Sequence, residues 1–101
     1  MGSQEEIKIE NDFILHLFQN DGGEMYRIEK HVNQGFIQFH FGLKGKGKFI
    51  FNQGSYALDL KEEKSLFFFF FQKELRLNLE LAPHTWIVSV IISIKKFNGL
   101  F

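Results

Sequence analysis

The chain has 101 residues, 45% of them hydrophobic and 24% charged, which suits one globular domain (residues 1–101) and excludes a disordered chain. Its twelve basic and twelve acidic side chains cancel, so it lacks the basic excess typical of domains that bind DNA through phosphates. Cysteine is absent, which excludes disulfides, and no apolar run approaches the roughly 20 residues that span a bilayer. We therefore expect a cytoplasmic protein that makes no membrane contact.

Apolar residues recur with a period near two along short segments, which predicts β-strands. Glycine, asparagine and charged residues separate these segments. In chain order, the predicted strands are 6–10, 13–18, 24–30, 35–43, 46–51, 55–60, 65–71, 75–81 and 85–94. Many short strands at regular spacing predict an all-β sandwich or barrel.

The alternation stops after the last strand, over residues 95–101. There Phe97, Leu100 and Phe101 would share one face of a short helix. The alternative is an exit segment that leads away from the barrel.

The strand over residues 36–43 has two very different faces. One face is wholly apolar and must pack against another layer. The other holds Gln38 and His40 beside Phe36 and Gly42. A face of this kind either lines a ligand cavity or faces water, and the alternation alone does not decide between the two.

Two segments, 67–71 and 87–94, are apolar on both faces apart from Ser89 and Ser93. Large exposed clusters of apolar side chains are rare on monomers and promote association. The second face of each strand is therefore covered either by another layer of the same domain or by a second copy. On this basis we expect a homodimer.

A glycine-rich turn resembles part of the cupin superfamily. It reads Leu-Lys-Gly-Lys-Gly-Lys-Phe over residues 43–49, and a hairpin follows at 52–58. The resemblance implies a double-stranded β-helix, also called a jelly-roll barrel. Aligned on Gly45, the two cupin motifs match Asn78 and place their four metal-ligand positions at His31, Asn33, Gln38 and Glu74.

One imidazole, one carboxylate and two amides form a poor ligand set, because a catalytic metal generally needs three or four good donors. We therefore expect no metal, no cofactor and no enzymatic activity. The same groups could hydrogen-bond a polar small molecule inside the barrel, or could satisfy loop backbone. With aromatic residues that could stack on a ligand, the predicted ligand-binding set is His31, Asn33, Gln38, His40, Tyr56, Glu74 and Trp86.

Three stretches, residues 36–45, 79–83 and 86–97, resemble the N-terminal effector domain of Bacteroidetes-like AraC-type transcriptional regulators. The resemblance covers most of the chain. It implies a cupin-like sensing barrel that dimerises and is followed by two helix-turn-helix motifs, so that DNA is contacted only through that second domain. No such motif occurs up to Phe101, and we expect an excised or truncated regulator.

The predicted function is therefore sensing of a small polar, sugar-like effector by a dimeric regulator domain. Two alternatives stay open. One is a free-standing cupin enzyme with a degenerate metal site, and the other is a purely structural dimerisation module.

Overall fold

The computed structural model describes residues 2–33, 35–51, 54, 56–69 and 74–100, with the side chains of residues 32, 33, 74 and 75 excluded. This part of the chain is nearly all β-structure, which confirms the predicted fold class. It contains β1 (Gly2–Glu10), β2 (Phe13–Asn20), β3 (Tyr26–Asn33), β4 (Phe36–Lys44), β5 (Lys46–Phe51), β6 (Tyr56–Lys61), β7 (Ser65–Phe69), β8 (Glu74–Leu81), β9 (Thr85–Ser93) and α1 (Ile94–Gly99).

Two strands differ clearly from the prediction: β3 covers Tyr26–Asn33 instead of residues 24–30, and β1 starts earlier than expected. The sequence pattern predicts that the first strand begins at residue 6, whereas β1 begins at Gly2. Residues 2–5 carry no apolar alternation, but their backbone pairs with β2 as far as Gly2 opposite Asn20. Backbone pairing thus extends this edge strand beyond the side-chain pattern.

The strands form two antiparallel sheets. The larger sheet has the order β1-β2-β9-β4-β7, and the smaller has the order β3-β8-β5-β6. Sequential strands alternate between the sheets from β3 onward, apart from the β5–β6 hairpin. This is the crossing pattern of a jelly-roll barrel.

The interior is filled over much of its length by apolar side chains from both sheets. Three rings meet at its centre, with the Phe68 ring centroid 5.6 Å from that of Phe49 and 5.2 Å from that of Phe51. Aliphatic residues of β8 and β9 complete the packing. The buried cluster comprises Phe18, Ile28, Phe49, Phe51, Leu60, Phe68, Leu77, Leu79, Leu81 and Ile87.

The glycine-rich turn joins β4 to β5, as predicted. Gly45 has a φ of 72°, and a Cβ there would lie 2.4 Å from the Thr85 hydroxyl oxygen. That hydroxyl accepts a hydrogen bond from the Lys46 amide and donates to the Lys46 carbonyl. The turn therefore needs a residue without a side chain.

The predicted C-terminal helix is present as α1. Ser93 caps its start, because the Ser93 hydroxyl accepts from the Lys96 amide at 3.0 Å. The Phe97 ring lies over the larger sheet, 6.3 Å from the ring of Phe39. Leu100 is exposed just beyond the helix, and Phe101 lies outside the described residues. Within the described part of the chain, no helix is long and apolar enough to cross a membrane.

Candidate ligand-binding site

A row of polar side chains crosses the inner face of the larger sheet. Strand register places Glu6, His16, Ser89 and His40 side by side on β1, β2, β9 and β4. The last three are buried. The mixed face of β4 therefore points into the barrel and not into water, with Gln38 only 4% exposed and His40 only 3%.

His40 is held as a neutral imidazole by its two neighbours. The carbonyl oxygen of Gln38 can only accept, so His40 Nε2 donates to it at 2.9 Å. His40 Nδ1 then accepts from the Ser89 hydroxyl at 2.5 Å. Burial, together with the nearby charges of Lys30 and His16, lowers the pKa of His40 to about 3. Both ring nitrogens are therefore used by the protein itself.

His16 and Lys30 form the second polar pair. Lys30 Nζ donates to His16 Nδ1 at 2.6 Å and lies 5.0 Å from the centroid of the Phe18 ring, on which His16 stacks. Burial lowers the pKa of His16 to about 4, an effect that Lys30 reinforces and Glu6 opposes. Burial also lowers the pKa of Lys30 to about 8, against the opposing charge of Glu6.

These groups border a cleft of about 270 Å³ between the edge of β3 and the middle of β4. Lys30, Gln38 and Glu6 supply polar groups to this cleft, His31 lies at its rim, and the other lining residues are apolar. A small number of converging polar groups in a largely apolar depression is the usual form of a small-molecule site. The lining residues are Glu6, Ile14, Lys30, His31, Phe36, Gln38, Leu77 and Ile91.

A larger depression of about 380 Å³ lies at the loop between β2 and β3. Its one buried polar side chain among the described residues is Asn20. The Asn20 amide already donates to the carbonyls of Glu24, Leu81 and Ala82. This depression therefore offers fewer groups to a ligand than the cleft beside Lys30.

The structure brings together some of the sequence-predicted residues. Gln38 lies in the cleft wall and His31 at its rim, while His40 lies directly behind Gln38. Asn33 and Glu74 pair through their backbones across β3 and β8. Their side chains lie outside the described part of the chain.

The two aromatic residues of the predicted set do not line the cleft. Tyr56 is exposed on the edge strand β6, with its ring 6.1 Å from that of Phe51. Trp86 lies on the outer face of the larger sheet, where its indole N–H donates to Asp21 at 2.7 Å. Their stacking on a ligand stays a prediction that this geometry does not favour.

Sequence reasoning missed Lys30, the polar residue of β3 that faces inward. Strand alternation carries the signal: buried Ile28 shares its face with Lys30, two residues on. His31 shares the outward face with Glu29, whose carboxylate lies 3.8 Å from the His31 ring. Strand parity therefore places His31 and Lys30 on opposite faces of β3.

Of the four residues at the cupin ligand positions, only His31 and Gln38 have side chains within the described part of the chain. No group of three or more His, Cys, Asp or Glu side chains in the described ranges is arranged to hold an ion. Inside the barrel, Lys30 brings a positive charge and His40 has no free nitrogen. Both features oppose cation binding.

No family model matches the sequence, and no curated protein matches it. Solved structures do match. A cupin superfamily protein from Desulfitobacterium hafniense superposes with a TM-score of 0.68 at 10% identity, covering 92% of this chain and 78% of that one. An RmlC-like cupin protein from Desulfovibrio desulfuricans gives a TM-score of 0.68 at 12% identity, covering 90% of this chain and 81% of that one.

A third similar structure comes from a regulator. It is a cupin domain of an XRE-family transcriptional regulator from Enterobacter cloacae, with a TM-score of 0.64 at 10% identity. The match covers 90% of this chain and 95% of that domain. At such identities the likeness shows the fold alone, and together with the strand order it shows that this chain has the cupin fold.

Proposed function

We propose that this domain senses a small polar, sugar-like ligand, which binds in the cleft beside Lys30 and Gln38. The observation that carries the proposal is the polar row inside a mainly apolar barrel, beside that cleft. Buried polar groups cost free energy unless they are paired. A row of them beside an open depression is better suited to recognition than to stability alone.

The cleft offers both donors and an acceptor to a ligand. Lys30 donates, the Glu6 carboxylate accepts, and Gln38 lies between two apolar residues, Ile91 and Phe36. A hydroxyl-rich molecule can satisfy both kinds of group because each hydroxyl both donates and accepts. The volume of about 270 Å³ is slightly below the range for drug-sized ligands, which favours a small metabolite.

We propose binding without catalysis. His40 is neutral and has both nitrogens occupied, so it is a poor general base. His16 has a pKa near 4 and accepts from Lys30, which leaves it weakly basic near neutral pH. Neither histidine is therefore suited to proton transfer on a substrate.

The regulatory part of the proposal rests on two likenesses. The sequence resembles effector domains of AraC-type regulators, and the fold is shared with a cupin domain of an XRE-family regulator. A ligand would act by binding one of two states of the barrel more tightly than the other. DNA contact would then come from a separate domain, because this chain has no net charge.

We propose that the protein forms a homodimer through the outer face of the larger sheet. Register aligns five apolar side chains across all five strands, namely Ile7, Leu15, Val90, Phe39 and Phe67. At the two edges, Ile7 is 51% exposed and Phe67 is 58% exposed. An apolar row of this length would be covered well by the same row of a second copy.

Thermal denaturation with a panel of sugars and small metabolites tests ligand sensing. A ligand present at one hundred times its Kd should add about 2.7 kcal/mol, which raises Tm by several degrees. Lys30→Met should lose this ligand-induced rise, and the matched variant Lys48→Met, on the exposed face of β5, should keep it. If no compound raises Tm of the unmodified protein, the proposal fails.

A further inference from the structure

Lys30 differs from the other lysines that the structure describes. All of these except Lys30 and Lys96 are exposed. Lys96 is ion-paired with the Glu10 carboxylate, whereas Lys30 donates to an imidazole that carries no charge. The charge of Glu6 acts on Lys30, but none of the ion pairs between described residues includes Lys30. Its amine is therefore half-buried with no described carboxylate in contact.

This environment favours the neutral amine. The aromatic face of Phe18 and the walls of the cleft replace water around Nζ, and burial lowers the pKa of Lys30 to about 8. At neutral pH roughly a tenth of such an amine is unprotonated, compared with less than a thousandth of an ordinary exposed lysine. One N–H of the neutral Lys30 amine is donated to His16 Nδ1, so the lone pair on Lys30 Nζ is directed away from His16.

We infer that Lys30 captures a small aldehyde or ketone in this cleft by forming a reversible imine. The inference rests on the proposed function, since it assumes that the cleft is the ligand site. It narrows the ligand class to carbonyl compounds, which include the open-chain forms of sugars. Neutral, desolvated lysines are the residues that form such imines in proteins.

Formation of this imine needs neither an oxidant nor a reductant. Nζ attacks the carbonyl carbon to form a C–N bond, and the oxygen takes up the proton that nitrogen releases, which gives a carbinolamine. Loss of the hydroxyl with the second nitrogen proton releases one water and leaves a C=N bond. Glu6 lines the same cleft and can carry these protons between nitrogen and oxygen. Hydrolysis reverses the sequence and frees the ligand.

Reductive trapping tests the inference. The protein is incubated at neutral pH with D-glyceraldehyde and sodium cyanoborohydride, which reduces an imine to a stable secondary amine. Peptide mass mapping over time then gives the labelling rate of each lysine, separately from the α-amino group. We expect Lys30 to be labelled at least about tenfold faster than exposed Lys48, because its unprotonated fraction is far larger.

Two variants and one matched compound make the outcomes distinct. Lys30→Met should remove the fast labelling, and Lys96→Met, which alters the other half-buried lysine, should keep it. Labelling of Lys30 no faster than that of Lys48 would overturn the imine. Glycerol, which has the hydroxyls of glyceraldehyde but no carbonyl, separates the two proposals. If the imine fails while a compound without a carbonyl raises Tm of the unmodified protein but not of Lys30→Met, ligand binding stands alone. If nothing raises Tm and Lys30 is labelled no faster than Lys48, both proposals fail.

Discussion

His40 shows how a polar side chain is tolerated inside this barrel. Its neutral imidazole donates one hydrogen bond to Gln38 and accepts one from Ser89, so both ring nitrogens are paired. The rings of Phe49 and Phe68 pack against it, with their centroids 4.5 and 5.3 Å from the centroid of the imidazole. An additional proton would place a charge among these rings, which is why the pKa of His40 falls so far.

Stability should therefore fall in acid. Between about pH 6.5 and pH 4, the unfolded chain binds protons at His16 and His40 while the folded chain does not. Each histidine should then cost about 1.4 kcal/mol for every pH unit below 6.5. Urea unfolding at neutral pH and near pH 5 measures the effect.

The variant His40→Gln provides the control for this pH dependence. It keeps a polar, hydrogen-bonding side chain but cannot titrate, so the fall in stability per pH unit should be shallower by about 1.4 kcal/mol. An unchanged pH dependence in this variant would show that His40 is protonated in the folded state, contrary to its hydrogen bonding here.

At the scale of elements, the backbone of β4 is hydrogen-bonded to the turn between β6 and β7. The Gly42 amide donates to the Lys64 carbonyl at 2.9 Å, and the Gly42 carbonyl accepts from the Glu63 amide at 2.8 Å. The two backbones approach so closely that a Cβ on Gly42 would lie 2.3 Å from the Lys61 carbonyl oxygen. This contact ties the strand that carries Gln38 and His40 to the opposite sheet.

Gly42→Ala should therefore destabilise the barrel by about 1–3 kcal/mol, because a rigid backbone group must move to admit the methyl group. Gly23→Ala is the matched control, since a Cβ there would meet no atom within 4 Å. Urea denaturation of both variants measures the difference. Equal stabilities of the two variants would mean that the two backbones can move apart without a cost in folding free energy.

The elements could be predicted from sequence because most strands show alternating apolar side chains and the others are short, continuous apolar runs. The start of β1 could not, since residues 2–5 are held by backbone pairing that leaves no pattern in the side chains. For Gln38 and His40, strand parity left two alternatives, a cavity lining or a face in water, and both side chains are buried inside the barrel. The role of Lys30 was missed because the motif spacing directed attention to the neighbouring His31, which lies on the opposite face of β3 beside Glu29.

At the scale of the whole molecule, the middle of the larger sheet has the reverse of the usual arrangement of polar and apolar faces. The row that contains His16, Ser89 and His40 is polar and faces inward, and the next row, with Leu15, Val90 and Phe39, is apolar and faces outward. Helix α1 covers part of the outer face through Phe97. The rest of that face is the surface that we assign to a second copy.

Sedimentation at micromolar concentration should show a dimer. Phe67→Lys places a charge at the exposed edge of the apolar row and should shift the protein towards monomer. Ile50→Lys is the matched control, because Ile50 is a half-buried residue on the outer face of the smaller sheet. A monomer in the unmodified protein would contradict the dimer.

Ligand entry beside Lys30 is the central claim, and amide chemical-shift mapping tests it most directly. The ¹H–¹⁵N spectrum is recorded while the compound that raises Tm most is added, or D-glyceraldehyde if several act equally. We predict that the largest shifts fall on residues 14–16, 28–31, 36–38 and 77, which surround the cleft. Shifts confined to the outer face of the larger sheet, or no shifts at all, would contradict the account.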